Sequence, residues 1–309
     1  QAALDLLGYF IKDKTAVIVE DRYPPALAYR ATKQDSVVTG PVILLTNEYT
    51  ASSSEITAAA LKDYGKAVIL GEKTYGSGLV KALMPLSNGD YFKLPVQRFF
   101  SPQHRAINQV GVVPDVRIKG CDELETAVLL LKHSNLDLAA DGNKTGYLRL
   151  NAGPGKFTLS LADLRRPDYW QLGQKILDTA RVNTTLDLGG VGGWEPLPKK
   201  YLQDRSKIYY PEYIEAGRLN NIPRDKIFKV TFSHAMNWDS VSADSIELIN
   251  TTSGERVECE CYFVDSRVMQ VMPRERLQAN TEYWLVIHPE LQDRAGRNIS
   301  GGLAIAWTG

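Results

Sequence analysis

Hydrophobic residues in the first 120 positions follow the two periods expected of alternating helices and strands. The opening QAALDLLGYF has helical spacing, and TAVIVEDR reads as a strand. The continuous apolar run PVILLT, residues 41–46, predicts a strand that is buried on both faces. ITAAALKDYG then predicts a helix ending at Gly65, and KAVILG predicts a second buried strand. This order predicts a parallel βαβ unit with a right-handed crossover.

A β-hairpin is predicted directly after the βαβ unit. VKALMPL and YFKLPVQRFF flank the turn SNGD, and the pair Asn88-Gly89 suits two-residue hairpin turns, whose central residues need positive φ. The following SPQHRAINQVGVVPD contains prolines at 102 and 114 and predicts an irregular segment. We therefore expect an α/β core over residues 1–119.

Residues 120–222 have a less regular pattern, which predicts a mixed α+β middle region. ELETAVLLLKH predicts a short helix, GYLRLNAGPGKFTLSL a hairpin with a glycine-proline turn, and the stretch after Pro167 a longer helix. LGGVGGWEPLPKKY contains four glycines and two prolines, and we interpret it as a linker or surface arm.

From about Ile222 the pattern becomes all-β. FKVTF, SIELI, VECECYF, VMQVM and YWLVI are short segments separated by turns, which predicts an immunoglobulin-like sandwich over residues 223–309. Cys259 and Cys261 alternate within one strand, at a spacing unsuited to a disulfide, and are predicted to face the core. The expected fold class is an α/β core fragment, a mixed α+β region and an all-β sandwich.

Composition excludes several functional classes. A chain of 309 residues can form two or three domains, and its Lys+Arg and Asp+Glu totals are both 36, so no net field favours nucleic acid. The apolar runs are shorter than the roughly 18 residues of a membrane-spanning helix. No cysteine or histidine spacing predicts a metal or haem site, so no cofactor is expected. The chain opens inside a predicted helix without an initiator Met, so we expect it to derive from a longer precursor.

The feature most suggestive of chemistry is TNEYTASSSEITAAA, residues 46–60. Ser52 and Glu55 form the S-x-x-E pattern of a capping box, and that pattern alone explains a serine at a helix start. The cluster also lies at the carboxyl end of a predicted strand, where open α/β sheets place their functional sites. From these residues alone, a cap and a nucleophile both remain open.

A longer set of motifs resembles one family. NEYTASSSEITAAALKDYGKAVILGEKTYGSGLVK, then PLSNGDYFKLPVQRFFSP and GVVPDV, is similar to the carboxyl-terminal processing peptidases, also called tail-specific proteases. The resemblance implies that residues 1–118 are a serine-peptidase core lacking its amino-terminal half, which cleaves polypeptides near their C-termini. It implies that Ser52, two residues after Thr50, is the nucleophile. The helix start makes the amide of Ser53 a natural oxyanion donor.

The resemblance also implies a lysine base, and here the sequence departs from the family. The family lysine stands in a G-K-G sequence where this chain has Gly76-Ser77-Gly78, and Lys81 stands where several members have a glutamine. Positions 77 and 81 would lie about 13 Å apart in an extended segment, beyond the reach of a lysine, but about 6 Å apart in a helical turn. Lys81, and Lys73 in the preceding loop, are therefore candidate bases. For both, a solvated surface lysine is the simpler interpretation.

His104, in SPQHRAINQ, is a further candidate base because Ser-His pairs are common in hydrolases. No carboxylate lies at a recognisable spacing, so we interpret His104 as a solvent-facing side chain. Three interpretations remain open: a working peptidase with Lys81 or Lys73 as base, a pseudo-peptidase that binds polypeptide tails or scaffolds a cell-surface complex, or a lysine replaced by design with Ser77.

The C-terminal strands resemble the bacterial Ig-like modules of secreted and surface-layer proteins. The resemblance rests on FKVTFSHAMNWDSVSADSIELI, VMQVMPRERLQANTEYWLVI and LQDRAGRNI, within residues 223–309. It implies an extracytoplasmic bacterial protein, secreted or at the cell surface, and supplies no chemistry. The expected partner is a polypeptide substrate or its C-terminal tail. The oligomeric state is left open, because exposed strand edges in the middle region offer a route to pairing between copies of the chain.

Overall fold

The computed structural model describes residues 1–21, 25–35, 38–119, 123–134, 143–179, 184–242 and 244–309. The chain forms two compact units. The first comprises residues 1–160 and 175–197, and the second comprises residues 161–174 and 198–309. The predicted middle region, 120–222, is thus divided between the units, and the three-domain division stays a prediction. Cys121 lies outside the described residues.

The described residues form six α-helices and nineteen β-strands. The helices are α1 (Ala2–Ile11), α2 (Ser53–Asp63), α3 (Glu123–Leu131), α4 (Leu161–Leu164), α5 (Pro167–Thr179) and α6 (Ser206–Tyr209). The strands are β1 (Thr15–Asp21), β2 (Leu27–Arg30), β3 (Ile43–Thr46), β4 (Val68–Gly71), β5 (Leu79–Pro85), β6 (Tyr91–Phe100), β7 (Val116–Arg117), β8 (Tyr147–Ala152), β9 (Gly155–Ser160), β10 (Thr185–Gly190), β11 (Gly193–Pro196), β12 (Ile214–Ile222), β13 (Phe228–Thr231), β14 (Ile246–Asn250), β15 (Arg256–Val257), β16 (Cys259–Phe263), β17 (Val268–Pro273), β18 (Glu282–Ile287) and β19 (Gly302–Thr308). Among the described residues, no helix combines the length and apolar character needed to cross a membrane.

The predicted βαβ unit is confirmed. Strands β3 and β4 pair in parallel, from Ile43 opposite Val68 to Thr46 opposite Gly71, and α2 connects them. The expectation that β3 is buried on both faces is wrong, because Leu45 is 38% exposed. In the sheet order β3-β4-β7, β3 is an edge strand, whereas the central strand β4 is buried along its whole length.

The predicted hairpin is also confirmed and belongs to a second sheet, with the order β2-β1-β6-β5. One face of this sheet, including Val19 and Phe99, packs against Ala58 and Ala59 of α2. The pairing of β5 with β6 skips one residue of β6: Val80 lies opposite Gln97, whereas Lys81 lies opposite Pro95. This β-bulge leaves β5 itself regular, so its side chains alternate between the face toward α2 and the opposite face.

The interpretation of LGGVGGWEPLPKKY as a linker or arm is wrong, because its glycines lie in a hairpin. Strands β10 and β11 pair around residues 191–192 and extend a sheet with the order β11-β10-β8-β9. A Cβ at Gly189 would lie 1.9 Å from the carbonyl oxygen of Lys144. Glycine is therefore needed here for close backbone approach inside a strand, a role that composition alone cannot distinguish from flexibility.

The close approach at Gly189 gives a stability prediction. We expect Gly189→Ala to lower the free energy of unfolding by about 2 kcal/mol or more, because the new methyl group can be accommodated only by a backbone shift. Gly190→Ala is the matched control, since its nearest neighbour would lie 3.9 Å away. We expect it to change stability by less than about 1 kcal/mol. Urea unfolding of both variants measures the difference, and equal losses would contradict the packing argument.

The second unit contains the predicted sandwich. One sheet has the order β12-β19-β18-β14-β15 and the other the order β13-β17-β16. The core between them includes Phe228, Leu285 and Met269. Cys259 and Cys261 pack partly buried against this core, as predicted, and burial raises the pKa of the Cys259 thiol to about 12. Strand β12, which begins ahead of the predicted start at 223, was not predicted.

An aromatic cluster covers the other face of the larger sheet. Trp284 of β18 lies 5.6 Å from Trp170 of α5 and 5.7 Å from Tyr209 of α6, measured between ring centroids. Trp170 is fully buried, and its indole N–H donates to the carbonyl oxygen of Thr251 at 2.9 Å. Residues of the predicted middle region therefore share a core with the Ig-like sheet.

Candidate functional site

The serine cluster lies on a strained turn between β3 and α2. Ser52 has φ 57° and ψ −121°, a conformation that costs a residue with a side chain about 1–3 kcal/mol. The preceding loop is held by a turn in which Thr50 N donates to Asn47 O at 3.0 Å. Ser52, Ser53 and Ser54 are all exposed at the helix start. An exposed hydroxyl on a strained strand-to-helix turn is the geometry used by nucleophile elbows.

Glu55 fixes this turn to a second loop. Its carboxylate is 0% exposed and accepts a hydrogen bond from Ser52 N at 3.1 Å, which is the glutamate half of the predicted capping box. The same carboxylate accepts from Thr74 Oγ1 at 2.5 Å. It also accepts from Gly76 N and from Ser77 N, both at 2.7 Å. One buried side chain thus joins the start of α2 to residues 74–77.

Further bonds hold the 74–78 loop in place. The hydroxyl of Thr74, which donates to Glu55, accepts from Val112 N at 2.7 Å. Gly76, with φ 89°, accepts at its carbonyl oxygen from Gln109 N at 2.8 Å. Tyr75 N donates to Thr50 O at 2.9 Å. The loop is therefore positioned by backbone groups, by the Thr74 hydroxyl and by Glu55, and none of these bonds involves the side chain at position 77.

Ser52 and Ser77 are consequently neighbours. Their amide nitrogens donate to the same oxygen, Glu55 Oε2, so the two backbones lie side by side although 25 positions separate them in the sequence. The four-carbon stem of a lysine at position 77 would span such a separation. Ser77 itself offers a hydroxyl, which has no basic lone pair suited to accept a proton from Ser52 near neutral pH.

Among the first backbone amides of α2, Ser53 N differs from its neighbours in having no hydrogen-bond acceptor in the described residues. Ser54 N donates to Ala51 O at 3.2 Å, and Glu55 N and Ile56 N both donate to Ser52 O. For Ser53 N, the described part of the chain provides no acceptor. This amide lies at the positive end of α2, where an anion is stabilised.

The two candidate lysines are placed differently from each other. Lys81 is exposed on β5, opposite position 95 of β6, and so belongs to a strand and not to a helical turn. The extended alternative for this segment is the one observed, which argues against Lys81 as a base. Lys73 is exposed in the loop just before Thr74.

His104 lies at the other end of α2. Its Nε2 is 2.6 Å from Glu20 Oε1, and its ring stacks on Phe100 at 4.6 Å. The neighbouring Gln103 N donates to Asp63, the last residue of α2, a helix roughly 16 Å long. The interpretation of His104 as a solvent-facing side chain is confirmed, since it is 54% exposed, and its partner Glu20 lies 84 positions away in the sequence. Among the described residues, no cluster of three His, Cys, Asp or Glu side chains could hold a metal.

Sequence reasoning missed most of the Glu55 network. The S-x-x-E pattern identified Glu55 as a cap residue, but its contacts with Thr74 and Ser77 span 19 and 22 positions. No local pattern marks Thr74, whose role depends on meeting Glu55 and Val112 in space. The burial of Glu55 in an alanine-rich helix is the feature that identifies this network. Burial is known only from the folded structure, so the sequence alone could not have shown it.

Two families match the chain. Residues 1–118 match the family described as Peptidase family S41, and residues 216–308 match the family described as Bacterial Ig-like domain. The chain therefore contains a Peptidase family S41 domain followed by a bacterial Ig-like domain. Both resemblances drawn from the sequence motifs are confirmed.

Individual relatives agree with the first match. A carboxyl-terminal-processing protease of Picosynechococcus sp. is 36% identical over 115 residues, which are 37% of this chain and 28% of that protein. Carboxyl-terminal-processing peptidase 1, chloroplastic, of Arabidopsis thaliana is 35% identical over 118 residues, which are 38% of this chain and 24% of that protein. The match thus spans about a quarter of the length of these curated relatives.

Two solved structures are similar to parts of the chain. The photosystem II D1 C-terminal processing protease is 32% identical with a TM-score of 0.36, and the match covers 40% of this chain and 33% of that chain. The N-terminal part of the bacterial S-layer protein SbsC is 15% identical with a TM-score of 0.26, covering 48% and 35% respectively. Both TM-scores are low, and each match covers less than half of this chain.

The Glu55 network gives a second prediction. We expect Glu55→Gln to lower the free energy of unfolding by about 2–4 kcal/mol, because the amide replaces an acceptor oxygen by a donor that faces N–H groups. The loss is measured by urea unfolding. Protection of the Gly76 and Ser77 amides against hydrogen exchange should fall in the same variant.

Glu48→Gln is the control for this prediction. Glu48 is an exposed carboxylate of the loop that precedes α2, so its substitution should change stability by less than about 0.5 kcal/mol. Equal stability of the Glu55 and Glu48 variants, with unchanged exchange at Gly76 and Ser77, would show that the buried carboxylate does not hold the two loops together.

Proposed function

We propose that residues 1–118 are the nucleophile-bearing part of a serine peptidase that processes polypeptides near their C-termini. The observation that carries the proposal is the Glu55 bridge, which sets position 77 beside Ser52. Ser52 would attack the scissile carbonyl, and the free amide of Ser53 would donate to the oxyanion that forms. The family match and the names of the relatives support a polypeptide as substrate.

The group that would accept the proton of Ser52 is the part of this site that is not accounted for. A serine hydroxyl attacks a carbonyl only when a neighbouring base removes its proton. Position 77 is close enough to serve, but it carries a hydroxyl where the family resemblance implies a lysine. Lys81 lies in the extended strand β5, about 13 Å along the chain from position 77, and His104 pairs with Glu20 at the far end of α2. Lys73 is the remaining candidate from the sequence.

A second function is favoured by the same residue. With Ser77 in place of an amine, the domain is expected to bind a polypeptide without efficient turnover, as a pseudo-peptidase that recognises or scaffolds its partner. Tyr49 is 81% exposed and Tyr75 is 70% exposed. They lie on the two loops that meet at Ser52, and exposed aromatic side chains of this kind are common in peptide-contacting surfaces.

The setting of this activity is also a proposal. We place the protein outside the cytoplasm of a bacterium, either secreted or displayed at the cell surface. The presence of a bacterial Ig-like domain in residues 216–308 supports this setting. The Ig-like domain would then serve positioning or display, while the chemistry would belong to the first unit.

Position 77 provides the third prediction. We expect Ser77→Lys to increase the rate at which a fluorophosphonate probe labels Ser52 by about 100-fold or more, the usual contribution of a positioned general base. Peptide mass spectrometry locates the label, and hydrolysis of an unfolded protein substrate is followed in parallel. Adding Ser52→Ala to this variant should abolish both signals.

Three variants serve as controls for the third prediction. Tyr75→Lys introduces the same amine two positions earlier on the same loop, at an exposed site, and should not raise labelling. Lys81→Ala should leave the original rate unchanged, because the extended strand keeps position 81 about 13 Å from position 77. Lys73→Ala tests the remaining base. Labelling of the unmodified chain at a rate that falls in Lys73→Ala would favour the working peptidase over the pseudo-peptidase.

A further inference from the structure

The two sheets of the Ig-like sandwich have different widths. Among the described residues, five strands form one sheet and three form the other. Strands β15 and β16 lie in different sheets but are nearly continuous in sequence, so the chain itself closes the sandwich on that side. On the other side, β12 and β13 are both edge strands, and a groove of about 910 Å³ opens between them.

The floor of this groove is apolar and partly uncovered. In the register of β12 with β19, Ile214 lies opposite Gly302 and Leu219 lies opposite Ala306. Ala306 belongs to the core between the sheets, so Leu219 of β12 faces inward beside it. Even so, Ile214 is 60% exposed and Leu219 is 39% exposed. These side chains lie where the narrower sheet would need one more strand to cover them.

The free edge of β13 offers backbone groups for such a strand. Strand β13 pairs with β17, and Phe232 N donates to Arg267 O at 2.9 Å across that pair. In an antiparallel pair, the N–H and C=O groups of alternate residues point to the same side. Lys229 and Thr231 therefore direct their backbone groups away from β17, toward the groove, where no strand of the described chain pairs with them.

The charge beside the groove is positive. Lys226 and Lys229 both line it, and no described carboxylate forms an ion pair with either. Asp293, which also lines the groove, accepts from Arg297 at 2.7 Å and is thereby neutralised. Acidic residues near β13 would therefore strengthen the binding of a ligand that adds a strand here, by attraction to the two lysines.

We infer that the groove between β12 and β13 binds an extended acidic segment of another polypeptide by β-strand addition. The segment pairs with the outward backbone groups of Lys229 and Thr231. Its alternate apolar side chains cover Ile214 and Leu219, and its carboxylates face Lys226 and Lys229. Strand addition to an exposed edge, with pockets for alternate side chains, is an established mode of peptide recognition.

The test uses the full chain and a fluorescent peptide of about nine residues in which Val or Ile alternates with Glu. Fluorescence anisotropy should show saturable binding that weakens with added salt. The same peptide with Lys in place of Glu, and a scrambled peptide of equal composition, should bind at least about tenfold more weakly. Absence of saturable binding by the acidic peptide, or equal binding of all three peptides, would overturn the inference.

Two variants test the docking mode. Thr231→Pro removes one outward N–H and leaves the bonds to β17 intact, so it should weaken binding at least about tenfold, whereas Thr231→Val should not. Leu219→Glu alters the exposed floor and should also abolish binding. Thermal unfolding verifies that each variant is folded. Retained binding in both folded variants would contradict strand addition.

The oligomeric state distinguishes another occupant. Light scattering should find a monomer that stays monomeric as the concentration rises. A dimer that is lost in Thr231→Pro would identify a second copy of this chain as the occupant of the groove and would overturn the assignment to an acidic segment of another polypeptide.

Discussion

The arrangement of the first unit depends on one buried carboxylate. Glu55 has no exposed surface, and it receives four hydrogen bonds, from Ser52 N, Thr74 Oγ1 and the amides of residues 76 and 77. A carboxylate buried without partners would be strongly destabilising, so these donors are a requirement of the fold. The same donors set the strained serine turn against the 74–78 loop. The stability of this unit and the geometry of the candidate site therefore both depend on Glu55.

A comparable constraint shapes the second unit. The wider sheet of the sandwich is covered on one face by the narrower sheet and on the other by Trp170 and Tyr209. The aromatic cluster keeps strands such as β18 buried on both faces, so the wide sheet is stable without a partner of equal width. The uncovered part falls on β12, at the edge. An apolar edge strand of this kind needs protection from unwanted pairing, and its two nearby lysines provide some of it.

The elements predicted well are those whose signal is local. Alternation and turn residues identified β1, the hairpin around Gly89 and the βαβ unit, because neighbouring residues determine these structures. Predictions were wrong where residues distant in sequence determine the burial or the conformation of a segment. Leu45 is exposed because its sheet ends at β3, and Gly189 lies in a strand because Lys144 approaches it closely. Strand β12 was missed because two irregularities in its pairing with β19 break the alternation of its apolar residues. In the site, the serine turn was found from local motifs, whereas the bridge from Glu55 was not.

The network also explains how the residue at position 77 can differ without a change in the shape of the site. Position 77 is held by its amide, which donates to Glu55, and by the neighbouring bonds of Thr74 and Gly76. None of these contacts involves the side chain at position 77. A change between an amine and a hydroxyl there leaves the donors, the strained serine and the free Ser53 amide in place. The fold, the candidate nucleophile and the candidate oxyanion donor are thus physically separable from the residue at position 77, so resemblance in the first three carries no information about the fourth. For this reason the chemistry must be tested at position 77 itself.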